Sequence, residues 1–193
     1  AMPLEDVDKA IEMLFETWQK GGTVFLIGNG GSASTATHMA ADLAKTASVE
    51  GKKRLKAFAL VDNIPMVSAL TNDNGWENIY VEQLMTYFRQ GDVVIAFSEH
   101  GGAGKDKAGA WSQNLTKAIN YANERGAKTI GMAGFDGGAM KSLCTVAVVV
   151  PAESTPQVES FHVWVEHLLS VLVRDRIAEE AKSKGNAVGS LRV

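Results

Sequence analysis

The 193-residue chain has a single cysteine, Cys144, so it carries no internal disulfide framework. It also lacks an apolar run approaching the ~20 residues of a membrane span. No charged-then-apolar leader precedes the first helical stretch. With the lone thiol, this makes a reducing cytoplasm the expected compartment. Basic charge is not in excess: 19 Lys and Arg stand against 22 Asp and Glu, a formal charge of −3. That balance argues against a protein whose main partner is the nucleic-acid backbone, and any phosphate must be gripped locally. Internal repeats and low-complexity tracts are absent, and Ala1 ahead of Met2 reads as a cloning remnant. The 46% hydrophobic and 7% aromatic content fits one globular domain, residues 1–193. A chain of this length buries roughly 70% of its unfolded surface, so it needs no structural metal. A metal, if bound, serves chemistry.

Leu4, Val7, Ile11, Leu14, Phe15 and Trp18 recur at helical intervals and predict an opening amphipathic helix that Gly21-Gly22 ends. Short apolar runs predict five strands, at Thr23–Ile27, Ala57–Val61, Asp92–Phe97, Thr129–Met132 and Thr145–Val150. Helical spacing lies between them, at Ser34–Thr46, on either side of Thr71–Gly75, at Trp111–Glu124, and in a long final helix from Pro156 to about Ala181, with a frayed tail over 182–193. Near-continuous apolar strands joined by helices imply a doubly wound α/β domain with a parallel sheet covered on both faces. In such folds ligands bind beyond the carboxyl ends of the strands, where loops 28–33, 62–75, 98–112 and 134–138 converge.

Gly28-Asn29-Gly30-Gly31-Ser32-Ala33 allows a tight turn that presents bare amides at the positive end of a helix, which suits a phosphate or carboxylate. It also fits a loose dinucleotide fingerprint, with Asp62 placed to grip a ribose. The chain is too short for a substrate domain after a dinucleotide half, and the reading taken is no nucleotide. His38 and Asp42, four apart on the next helix, leave one face and could share a cation or simply hydrogen-bond. His162 and Glu166, also four apart, read as a simple helical pair.

Gly28-Asn29-Gly30-Gly31-Ser32, then His38, Asn72-Asp73, Asp136-Gly137-Gly138, and a final helix bearing Gln157-Val158-Glu159-Ser160-Phe161-His162 and His167 together resemble the SIS (sugar isomerase) domain. Within it the sequence is most similar to the phosphoheptose isomerases. The resemblance implies a three-layer, flavodoxin-like sheet and a homotetramer with sites at subunit interfaces. The activity it implies is ketose–aldose conversion of sedoheptulose 7-phosphate through an enediol. It further implies Asp42 as the base at carbon and His167 as its acid/base partner, with Asn29, Gly30, Ser32, Asp73, Ser98, His100 and Ser112 at the substrate. Zinc would be held by His38, Asp42, Glu159 and His167.

The chain departs from the family pattern at Asp42 and Glu159, where the family has glutamate and glutamine. Two imidazoles and two carboxylates remain an acceptable zinc set. However, eight helical residues span about 12 Å, so Glu159 and His167 meet one ion only if the helix is distorted near Pro156 or if the ligands come from different subunits. In the third loop, Ser98-Glu99-His100 replaces a Ser/Thr-rich phosphate turn, and Glu99 would oppose a phosphate. The insertion Ala103–Trp111, with Lys105 and Lys107, is either a lid or a solvated surface segment. The alternative to an enzyme is a non-catalytic SIS module that binds a sugar phosphate or a protein.

Overall fold

The structure, a computed structural model, describes residues 1–102 and 112–189, with side chains as far as residue 180. The predicted insertion therefore lies outside the described residues. Five strands, β1 (Thr23–Gly28), β2 (Lys56–Ala59), β3 (Val93–Phe97), β4 (Lys128–Ala133) and β5 (Val146–Val149), form one parallel sheet in the order β2-β1-β3-β4-β5. This is the flavodoxin-like order, with its switch point between β1 and β3. The register Leu26↔Ile95↔Ile130↔Val146 sets branched side chains side by side across four strands.

Alternate strand residues feed two cores. Val24, Leu26, Ile95, Phe97 and Met132 pack under α1 (Leu4–Lys20), α2 (Gly31–Ala41) and the long α7 (Thr155–Gly189). Phe25, Ile27, Val94 and Ala96 pack under α4 (Val81–Tyr87), α5 (Gln113–Glu124) and the short α6 (Met140–Leu143). The expected three layers follow, because a strand buried on both faces must be apolar at every position, as Val93–Phe97 is. α1 is sequestered by Val7, Ile11, Leu14 and Trp18, the stripe read from its spacing. Its outer edge is fastened to α7 by Arg176, which pairs with Glu12 at 2.9 Å and lies 4.4 Å over the Phe15 ring.

The sequence reading and the structure differ at two places that matter for the site. Thr71-Asn72-Asp73-Asn74 reads as a break from its turn chemistry, yet it completes α3 (Ile64–Asn74), and the chain stops being helical only at Gly75, with φ +89°. Thr71 returns its hydroxyl to the Val67 carbonyl at 2.7 Å, so the polar stretch satisfies itself inside the helix. After α2, the chain opens into a single π-helical turn, Asp42–Thr46, where a continuous α-helix is the sequence expectation. Such wide turns recur at functional sites because they re-aim side chains.

Candidate active site and metal centre

The glycine turn closes β1 and launches α2. Gly30 takes φ +54° with ψ −124°, a backbone conformation open to glycine. Gly31 is pressed against Glu159 of α7, and a Cβ there would run into the Glu159 carboxylate. Two buried partners hold the turn. The Tyr80 hydroxyl donates to the Gly28 carbonyl, and the Asn29 and Asn114 amides exchange two hydrogen bonds, at 2.8 and 3.0 Å. Asn114 is fully buried and also accepts from the Leu115 N–H within the first turn of α5. Ser112, in the left-handed region at φ +54°, reaches the Asn29 amide at 3.4 Å. Asn29, Gly30, Ser32 and Ser112 thus belong to one corner, pinned by Asn114 and Tyr80, which sequence reasoning missed.

Of the other expected substrate residues, Ser98 is buried and accepts from the Gly102 N–H at 3.0 Å. His100 stacks on Phe135, with ring centroids 4.1 Å apart. Asp73 sits exposed near the end of α3, where its carboxylate accepts from Asn72 and makes no described contact with α2 or α7. Glu99, read as hostile to phosphate, accepts the Ser32 hydroxyl at 2.8 Å in the first turn of α2. It also lies beside Glu159, whose carboxyl is held above the usual range by burial first and by Glu99 second.

At the far end of α2 the side chains converge. His167 Nδ1 lies 2.9 Å from Asp42 Oδ2, while Thr46 donates to Asp42 Oδ1 at 2.9 Å across the π turn. The His38 and His167 rings meet edge to face at 4.8 Å. Glu166, not Glu159, completes the group: one ligand atom from each of His38, Asp42, Glu166 and His167 lies within 4.8 Å of the others. Of the residues expected to hold zinc, His38, Asp42 and His167 lie together in this cluster, whereas α7 carries Glu159 to the first turn of the same chain's α2.

The expected His162–Glu166 pair is also absent among the described contacts, since Glu166 turns to the two imidazoles and His162 packs its ring on Phe97. Both residues are fully buried and lack hydrogen-bond partners. Burial pushes the His162 ring down, and it pushes the Glu166 carboxyl up to about 7, with Asp42 adding to the rise and His167 opposing it. Glu166 did leave a signal in the sequence: it falls on the same stripe as Val158, Val165, Leu169 and Val173, where a charged residue is out of place. A groove of about 460 Å³ lined by Gly31, Thr35, His38, Pro156 and Glu159 runs between α2 and α7 and joins the two ends.

A glycine turn feeding a helix N-terminus at the carboxyl edge of the sheet, with imidazoles and carboxylates gathered between that helix and the last one, is the build of a ligand-binding doubly wound domain. A family model described as the SIS domain matches residues 3–134. A phosphoheptose isomerase of Rhodospirillum rubrum is 35% identical over 171 residues, covering 89% of this chain and 86% of the relative. The chain belongs to the SIS domain family, among the relatives of the phosphoheptose isomerases. The lincomycin biosynthesis protein LmbN of Streptomyces lincolnensis is 44% identical over 164 residues, which cover 83% of this chain and 58% of that longer relative. Among solved structures, the phosphoheptose isomerase of Neisseria gonorrhoeae superposes with a TM-score of 0.76 at 27% identity, covering 89% of this chain and 86% of that one. No helix among the described residues is long and apolar enough to cross a membrane.

Proposed function

We propose that the protein is a phosphosugar isomerase that interconverts sedoheptulose 7-phosphate and the corresponding aldose phosphate. The observation that carries this reading is the 2.9 Å contact between His167 Nδ1 and Asp42 Oδ2, made from two helices beside the groove. Isomerisation needs one group to move a proton between adjacent carbons and another to move protons between the oxygens, with an enediol between. A carboxylate and an imidazole in contact supply both. Asp42 takes the carbon-bound proton, and the hydroxyl of Thr46 keeps its other oxygen oriented while it does so. His167 serves the oxygens from the edge of the seam, where its side chain is half exposed.

Asn29, Gly30, Ser32, Ser98 and Ser112 bind the sugar phosphate at the turn end of the groove, with His100 at its margin. Asp73 joins from α3 of another subunit. The site's own chain leaves it outside, and α3 fully buries none of its residues. This supports the homotetramer, as do Phe161 and Trp164, which remain exposed beside Met2 on the face of α7. The residues fit a zinc ion, because Glu166 presents buried oxygens without hydrogen-bond partners next to two imidazoles. When bound, the ion would instead polarise the substrate carbonyl and stabilise enediolate charge, and a carboxylate held tightly by metal is not a free base, so the metal-bound state differs from the one in which Asp42 takes the proton. The cytoplasm is the compartment in which such a substrate and a free Cys144 belong.

The test is a direct assay on purified protein with five-, six- and seven-carbon ketose phosphates, with and without added zinc, following the aldose by NMR. Turnover of the seven-carbon substrate is expected. Binding without turnover of any sugar in the panel would replace this reading with the non-catalytic module.

A further inference from the structure

We infer that Glu166, rather than Glu159, is the second carboxylate ligand of this protein's metal site, so that the ion sits wholly at the His38–Asp42 end of the α2–α7 seam. The inference rests on the zinc reading above and changes its ligand set. Glu159 abuts Gly31 while Glu166 lies 3.3 Å from His38 Nδ1. The two positions on α7 are seven residues apart, and so are the two on α2, about 10 Å along each helix. Within one subunit, a side chain that faces the first turn of α2 is therefore a full seven residues short of the imidazole.

Distances favour the same assignment. Nitrogen and oxygen ligands at about 2.0–2.2 Å from a tetrahedral ion lie about 3.3–3.6 Å from one another. Glu166 Oε1 is 3.3 Å from His38 Nδ1 and 3.4 Å from His167 Nδ1. Asp42 Oδ2 is 2.9 Å from His167 Nδ1, and one donor atom from each of the four residues lies within 4.8 Å of the others. Side-chain rotation that draws His38 and Asp42 together brings the four donors around one ion.

Burial makes the case independent of proximity. Glu166 is completely buried and neither oxygen has a hydrogen-bond partner, a condition that native carboxylates escape by pairing or by binding metal. Glu159 is in a different situation, partly exposed on the groove wall with Glu99 beside it. Two carboxylates at the ion also change the charge. They neutralise a divalent cation, whereas the family's single carboxylate and neutral amide leave it one positive charge. Glu159 is then free to face the substrate from the groove wall.

The inference is tested by stripping metal from the purified protein and titrating with Co2+, read by its visible ligand-field absorption, and then with Zn2+ in competition, for the parent, Glu166→Gln and Glu159→Gln. Metal content per chain is measured alongside. The parent is expected to take up one ion. Glu166→Gln should weaken binding at least about tenfold and alter the Co2+ spectrum, with Glu159→Gln within about twofold of the parent. Glu166→Asp serves if the glutamine variant does not fold, and it should also weaken binding. Loss of affinity in Glu159→Gln with retention in the Glu166 variants would overturn the assignment. A parent that takes up no divalent ion would overturn the zinc reading itself, and with it this one.

Discussion

In the metal-free protein Glu166 is a liability whose size can be worked out. Its carboxyl titrates near 4.5 when solvated and is pushed up to about 7 in the fold, mainly by burial. A group whose folded value is raised gives its full stability below the unfolded value and loses it as pH rises toward the folded one. Each tenfold change in proton affinity is about 1.4 kcal/mol, so ionising Glu166 destabilises the metal-free fold by roughly 3 kcal/mol at pH 8 and by only about 1 kcal/mol at pH 5. Glutamine has the same shape and never ionises. Chelated Glu166→Gln should therefore unfold about 5–10 °C above the chelated parent at pH 8, with the gap shrinking severalfold by pH 5. The assay is thermal unfolding at fixed protein concentration across pH 5–8, with and without zinc. Zinc at a hundredfold its Kd returns about 2.7 kcal/mol to the parent and much less to the variant, closing or reversing the order. A gap that does not change with pH, or a variant less stable than the parent at pH 8 without metal, would refute the picture of Glu166 as an unpartnered buried acid.

Other outcomes follow from the site. Asn114→Ala removes both hydrogen bonds exchanged with the Asn29 amide, while the Leu115 N–H keeps the Ser112 carbonyl, so urea unfolding should show a loss of about 1–3 kcal/mol, and steady-state kinetics a rise in KM larger than the fall in kcat. Gly30→Ala forces a Cβ into a backbone conformation with φ +54°, and denaturant titration should register a cost of about 1–3 kcal/mol together with weaker phosphate binding. Asp42→Asn and His167→Ala should each lower kcat by about 10²–10⁴-fold with folding intact by circular dichroism. Turnover unchanged in both would remove these two residues from the chemistry.

Periodicity and turn chemistry determined much of this protein by themselves. An α1 stripe at three- and four-residue spacing, apolar runs with no polar face, and glycines at 28, 30 and 31 leave few alternatives to a parallel sheet with its ligand site at the first βα turn. His38 with Asp42 was legible because a four-residue spacing fixes a shared helical face. The partners that complete the site depended on which helix lies against which. Sequence spacing along α7 carries no information about the point on α2 that each residue meets, so Glu159 and Glu166 could be distinguished only once the two helices were packed and Gly31 was seen to receive the first and His38 the second. The π turn that aims Asp42, the Asn29–Asn114 exchange across 85 residues and the burial of Glu166 likewise arise from tertiary packing. Local propensity sets which residues share a face, and only the packed core sets what that face meets.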